Sequence, residues 1–156
     1  MKHKITLFGS TLALVATVVA FAATSAYSSA STSRRAARLG AGSSSLGRIV
    51  VDSRGRTLYL FERDKSRRSS CYGACAAYWP PLLTHGKPKA RTGLKQSLVG
   101  TSRRRNGSVQ VTYAGHPLYR YAGDSGRGQT NGAGLQDFGG GWDPISPAGK
   151  KIESGG

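Results

Sequence analysis

One hundred and fifty-six residues leave room for one domain. The chain carries 23 Lys and Arg against 7 Asp and Glu, a formal net charge of +16, and a field of that size attracts anionic surfaces with little regard to their identity. The two cysteines, Cys71 and Cys75, form no Cys-x-x-Cys-His run, which excludes a covalent c-type haem.

Residues 1–26 read as a secretory signal peptide. Lys2, His3 and Lys4 make a short basic start, Ile5 to Ala23 carry no charge, and Thr24-Ser25-Ala26 offers the small residues a signal peptidase prefers. The uncharged run is 19 residues long, about enough to span a bilayer, so an uncleaved N-terminal anchor is the alternative. Gly9, Ser10, Thr11 and Thr17 dilute its apolar character. No Cys stands near the cleavage point, so no lipid-bearing N-terminal Cys is expected. Removal of Lys2 and Lys4 with the leader leaves 21 basic against 7 acidic side chains. On the extracytoplasmic face of a cell envelope, or in the medium, the matching partners are anionic wall polymers, acidic glycans or a membrane surface. Nucleic acid is not expected there, and no protein partner is indicated. In that compartment Cys71 and Cys75 read as a disulfide pinning one loop.

Residues 27–46 are mostly Ser, Ala and Arg with Leu39 and Leu46 as isolated aliphatic positions, and read as a disordered basic tether. From Gly47 an internal repeat begins. Gly47–Asp64 aligns with Gly107–Asp124 at an offset of 60 without a gap, and 6 of 18 positions are identical: Gly47/Gly107, Val51/Val111, Gly55/Gly115, Leu58/Leu118, Tyr59/Tyr119 and Asp64/Asp124. Trp79-Pro80-Pro81-Leu82 then faces Trp142-Asp143-Pro144-Ile145 at an offset of 63. The pattern predicts a mainly β domain over 47–156. It is built from two pseudo-symmetric hairpin-plus-loop repeats, about 47–96 and about 97–156. Two copies are too few for a solenoid.

Within the first repeat, Ile49-Val50-Val51 and Leu58-Tyr59-Leu60-Phe61 are strand-forming runs joined by the turn Asp52-Ser53-Arg54-Gly55. Ser70 to Tyr78 is a short helical candidate near the cysteine pair, with Ser70 as its N-cap. Within the second repeat, Leu98-Val99 and Ser108-Val109 flank an Arg104-Arg105-Asn106-Gly107 turn. Val109, Val111 and Tyr113 then alternate with polar residues before a turn at Gly115. Gly123 to Gly141 has no periodicity and reads as a long, mobile surface loop. Ile145 to Ile152 turns back at Pro147-Ala148-Gly149.

The repeated motif is Tyr-x-aromatic-x-x-Asp: Tyr59, Phe61 and Asp64, then Tyr119, Tyr121 and Asp124. Residues two apart on a strand share a face, so each half sets two rings side by side with an acid beyond the strand end. The structural reading packs the rings as core and lets each Asp accept loop N–H groups. The functional reading is an exposed aromatic platform beside a carboxylate, suited to a sugar, a ring or a cation. Together with the run Cys71 to Pro81, the run Gln110 to Tyr119, and Trp142 to Lys150, these motifs resemble the bacterial secreted-repeat lipoprotein family named for that signature. The resemblance covers about Gly47 to Ile152. It implies an envelope or secreted location and two repeats, and no established activity. Many members of that family carry a lipobox Cys that this chain lacks, so lipid anchoring is not carried over.

No catalytic constellation stands out. His85 lies in a polar loop and His116 at a hairpin turn, and neither belongs to a nucleophile or acid–base motif. Cys71, Cys75 and His85 match no standard zinc spacing, and no cofactor or metal is expected. The basic clusters Arg34-Arg35, Arg67-Arg68 and Arg103-Arg104-Arg105 read as solvated surface able to meet an anionic wall. The expectation is therefore a non-enzymatic envelope module associating with anionic cell-surface material. The alternative is a redox- or metal-linked accessory protein using Cys71 and Cys75.

Overall fold

A computed structural model gives the fold, and it describes residues 35–154. The signal or anchor segment and residues 27–34 lie outside the described residues. Among the described residues, no helix is long and apolar enough to cross a membrane.

The chain runs through β1 (Arg38–Ser44), β2 (Gly47–Asp52), β3 (Tyr59–Phe61), a short helix α1 (Ala74–Tyr78) and β4 (Lys89–Ala90). After a 3₁₀ turn at Gln96–Leu98 come β5 (Val99–Arg103), β6 (Val109–Tyr113), β7 (His116–Pro117), β8 (Leu135–Asp137) and β9 (Gly140–Pro144). They form three small sheets in the orders β2-β1-β4, β3-β9-β8 and β5-β6-β7. The mainly β, two-repeat expectation holds.

Several boundaries differ from the sequence reading. The stretch 27–46 is not tether throughout, because β1 occupies Arg38–Ser44 and pairs along its length with β2. Leu39 is fully buried there, and β2 supplies the apolar surface that β1 lacks. The Gly-rich stretch 123–141 is not a structureless loop. It contains β8 and the start of β9, paired Leu135↔Trp142 to Asp137↔Gly140. The helix is one turn shorter at its start. Its N-cap position is Gly73 with no side-chain cap, while Ser70 instead bonds Asp64. The C-terminal hairpin forms as expected, with the Ser146 N–H donating to Lys150 O at 2.8 Å.

The gapless repeat conceals a slip. In the first half β1 and β2 are joined by two residues, Ser45-Leu46, and β2 turns back through three, Ser53-Arg54-Gly55. In the second half the order reverses. Arg105-Asn106-Gly107 joins β5 to β6, and Ala114-Gly115 joins β6 to β7 with positive φ at both residues, as a two-residue hairpin turn requires. The outer strands therefore match at an offset of 60, while the central strands match at 61. Val50, not Val51, is the counterpart of Val111. The Val50 N–H donates to Ile145 O and the Val111 N–H to Leu82 O, both at 2.8 Å.

Those bonds also show how the repeats combine. Leu82 belongs to the first repeat and Ile145 to the second, so each half's central strand bonds to the other half's Trp-Pro segment. β3 does the same, with Phe61 opposite Trp142 and Tyr59 opposite Pro144. Alternation along β3 separates two cores. Leu58 and Leu60 enter an aliphatic cluster with Val50, Val111, Leu118 and Ile145, while Tyr59 and Phe61 enter an aromatic cluster with Trp79, Tyr119 and Trp142.

Candidate functional site

The repeated motif lies at the centre of the molecule. The Tyr59 N–H donates to Tyr119 O at 2.9 Å and the Tyr119 N–H to Tyr59 O at 3.0 Å, a reciprocal pair joining the two halves. The side chains cross as well. Tyr59 Oη donates to Asp124 Oδ2 at 2.5 Å, and Tyr119 Oη donates to Asp64 Oδ2 at 2.7 Å. Each acid uses its other oxygen to close its own loop. Asp64 Oδ1 accepts the Ser70 N–H at 2.8 Å, and Asp124 Oδ1 accepts the Asn131 N–H at 3.0 Å. Each motif acid thus accepts a Tyr hydroxyl from the other half and a loop N–H from its own.

Four rings stack through this centre. Phe61 lies 4.0 Å from Trp142, Trp142 lies 3.9 Å from Trp79, and Trp79 lies 4.5 Å from Tyr121. Tyr59 meets Trp79 edge-on at 5.3 Å, and Tyr119 meets Trp142 edge-on at 5.1 Å. Each such contact adds about 0.5–1.5 kcal/mol beyond area burial. Tyr59, Tyr119, Trp79 and Trp142 are 0 % exposed and Phe61 is 2 % exposed, so the platform reading has no open face at these positions. Tyr121, half-buried, ends the stack. Gly132 covers it, since a Cβ there would lie 2.7 Å from Trp79 and 3.0 Å from Tyr121.

Burial pushes the Asp64 and Asp124 carboxyls up, against the hydrogen bonds that favour their charged forms. Burial, together with the neighbouring carboxylates, pushes the Tyr59 and Tyr119 phenols well above their ordinary value, so both stay protonated donors. Cys71 and Cys75 are joined in a disulfide with Cα atoms 5.3 Å apart, and both are buried beside the aromatic cluster. Neither presents a thiolate to a metal. His85 is exposed, and His116 is half-buried on β7. Among the described residues, no group of three His, Cys, Asp or Glu is placed to hold a metal ion.

A second region gathers residues the sequence reading left apart. Arg67, Arg68, Arg103, Arg104, Arg105 and Tyr72 line one open cleft of about 740 Å³, with Ser66, Ser69, Ser70, Thr101 and Ser102 supplying hydroxyls. No Asp or Glu lines it. A second basic hollow near Arg38 and Lys89 differs in this respect, because Asp52 lies in it and pairs with Arg120 at 2.7 Å.

Arg104 anchors the cleft and is only 6 % exposed. Its Nη1 donates to Gln110 Oε1 at 2.6 Å and Ser69 Oγ at 2.8 Å, and its Nη2 to Cys71 O at 2.7 Å. The Tyr72 ring carries two guanidiniums, with Arg104 Cζ at 4.4 Å and Arg105 Cζ at 4.0 Å from its centroid. On the opposite wall, Ser66 and Arg67 are consecutive left-handed residues at φ 50° and 63°, in a turn closed by the Arg68 N–H to Lys65 O bond at 2.9 Å. Turns of this kind favour Asn-Gly, and a left-handed non-glycine residue costs roughly 1–2 kcal/mol. Strain of this sort concentrates where a side chain must be aimed at something. The arginine pairs were visible in the sequence, but nothing in it indicated that two turns some 35 residues apart meet (Arg104 to Ser69).

A family model described as a secreted repeat of unknown function matches residues 40–83 and 100–146. The two matched segments start 60 residues apart, in β1 and β5, consistent with a first repeat that begins before Gly47. No curated protein and no solved structure matches the chain.

Proposed function

The chain belongs to this secreted-repeat family, and from a secreted location we propose that it is a non-catalytic extracytoplasmic module that associates with anionic cell-surface material. The observation that carries this is the segregation of charge. Of the 7 acids in the chain, Asp52, Asp124 and Asp143 are at most 6 % exposed. Asp64 is tied to Tyr119 and Ser70. Glu62 and Glu153 both pair with Lys151, at 2.8 and 3.0 Å. Six of the seven acids are thus held inside the fold or on one lysine, and half-buried Asp137 on β8 is the exception, so the outer surface is left largely to the basic residues, and such a surface draws anionic polymers by its summed field.

A non-catalytic role is consistent with where the perturbed groups sit. Asp64, Asp124, Tyr59 and Tyr119 are all engaged in the cross-half bonds of the centre, and of these Asp124, Tyr59 and Tyr119 are buried. Retention of the secreted chain on isolated cell-wall material tests the reading. Binding is expected to fall steeply between about 0.05 and 0.5 M salt, as the Debye length shrinks below the spacing of surface charges. Retention that does not change with salt, or no retention at low salt, overturns it.

A further inference from the structure

We infer that the cleft between the Ser66-Arg67 turn and the Arg103–Arg105 turn is a binding site for a chain of phosphate groups, a claim that rests on the surface-association reading and names its site and ligand chemistry. Five arginines line the cleft with no carboxylate among the lining residues. Arg104 is buried on its own hydrogen bonds and the Arg67 guanidine lies against Gly115, so exposed Arg68, Arg103 and Arg105 are the cations left to meet a ligand, and the cleft suits anions. Guanidinium forks bind phosphate oxygens bidentately, and serine and threonine hydroxyls supply the single donors that complete such a shell. At about 740 Å³ the cleft is far larger than one phosphate, and the three exposed arginines Arg68, Arg103 and Arg105 exceed what one phosphate neutralises. A polymer with repeated anionic groups fits both facts.

The aromatic residue in the cleft argues against a neutral glycan. Sugar rings stack on open aromatic faces, but two guanidiniums already lie over Tyr72. The ring serves to hold Arg104 and Arg105 in place, and the Arg105 N–H also donates to Tyr72 Oη at 3.2 Å. Recognition then falls on the charged groups of the ligand.

The internal two-fold relation supplies a control within the molecule. Where the second half has Arg103-Arg104-Arg105, the first half has Ser43-Ser44-Ser45. The counterpart of the Ser66-Arg67-Arg68 turn is Gly126-Arg127-Gly128, which packs directly on β1 and leaves no room for a Cβ between Gly128 and the Ser43 carbonyl. The same fold therefore closes this place in one half and opens it, lined with arginine, in the other.

The test uses the secreted chain and linear inorganic polyphosphate of defined length, followed by titration calorimetry. Arg103 and Arg105 are exposed, so the double variant Arg103→Ser/Arg105→Ser restores the serines of the first half without touching buried Arg104. It is expected to weaken polyphosphate binding about tenfold or more, and to lower the slope of log K against log salt by about 1, as removal of one or two phosphate contacts does. Arg48→Ser/Arg127→Ser removes the same charge elsewhere and is expected to change binding less than about twofold. Equal loss in both variants overturns the site. Stronger binding of a polyuronate of matched charge overturns the phosphate assignment, and cleft-dependent binding of anionic lipid vesicles in place of the polymer overturns the polymer. Wall retention that survives the cleft variant defeats the site while leaving surface association standing. Absence of any salt-sensitive wall retention defeats surface association itself.

Discussion

The two halves of the molecule agree at the centre and differ at the rim. At the centre, Tyr59 bonds Asp124 and Tyr119 bonds Asp64, Trp79 and Trp142 stack on each other, and Val50 and Val111 bond the other half's Ile145 and Leu82. At the rim, one half closes a serine turn against a glycine-rich loop, and the other opens a cleft lined with arginine. What both halves need in order to fold is duplicated, because neither half completes its own core. What only one half carries is not demanded by the fold, and it is there that a ligand is to be sought.

The largest expected effect attacks the duplicated part. Trp79→Ala and Trp142→Ala each empty a fully buried site and are expected to cost about 3–5 kcal/mol in urea unfolding. If one substitution is tolerated and the other is not, the centre is not shared equally and the comparison fails. Phenylalanine sharpens the point. Trp142 Nε1 donates to Asp137 O at 3.1 Å, whereas Trp79 Nε1 is buried without a partner. Trp142→Phe should therefore cost about 1 kcal/mol more than Trp79→Phe.

The crossed Tyr–Asp bonds come next. Tyr59→Phe leaves buried Asp124, and Tyr119→Phe half-buried Asp64, short of a donor, and each is expected to cost about 1–3 kcal/mol near neutral pH. The pH dependence has a definite sign. Burial raises the Asp64 and Asp124 carboxyls in the folded state, so the folded chain binds protons more tightly there than the unfolded chain does. Their ionisation costs stability as pH rises from about 3.8 through the raised values, and acidification through that window restores it. The phenol bonds oppose the rise, so removing one raises the acid further. The deficit of each Phe variant should therefore shrink between about pH 7 and pH 4. Chemical denaturation at several pH values checks this, and a deficit that grows on acidification contradicts it. Asp52 runs the other way. Burial pulls it up, but the Arg120 guanidinium and the Arg56 and Arg54 amides outweigh burial and hold it below the ordinary value. Its contribution is lost as pH falls through that lowered value.

Much of the centre was legible in the sequence because it is local and doubled. The Tyr-x-aromatic-x-x-Asp runs, the Trp-Pro segments, the Asn106-Gly107 turn and the cysteine pair all stand at fixed offsets. The slip of β2 against β6 was not legible, because a two-residue turn followed by a three-residue turn has the same length as the reverse order. β1 was hidden for another reason. It is made of Gly, Ala and Ser around one buried Leu39, and its apolar surroundings come from β2 and from Leu58 and Leu82. The exchange of segments between halves, and the meeting of two arginine turns, are facts of tertiary packing. Composition registers the arginines and says nothing of where they converge.

The smallest effect is the most discriminating. Arg67 sits at φ 63° in a turn that glycine would adopt without strain, and Ser66 beside it sits at φ 50°. Glycine at either position relieves roughly 1–2 kcal/mol of left-handed strain and returns about 0.5–1 kcal/mol to the unfolded chain as entropy. Ser66→Gly and Arg67→Gly are thus each expected to stabilise the fold by a few tenths of a kcal/mol up to about 1 kcal/mol. They should part company in binding. Ser66→Gly removes no charge and should leave polyphosphate affinity within about twofold, while Arg67→Gly removes one of the arginines lining the cleft and should weaken it severalfold. A fold that gains stability while losing affinity marks a residue kept for its ligand. The contrary outcome has a structural cause ready. The Arg67 guanidine lies 3.5 Å from where a Gly115 Cβ would stand, and Arg127 covers Gly55 in the same way in the other half. If Arg67→Gly destabilises the protein and leaves binding intact, Arg67 is a cover for a hairpin turn in both halves, and the rim is less asymmetric than its charges suggest.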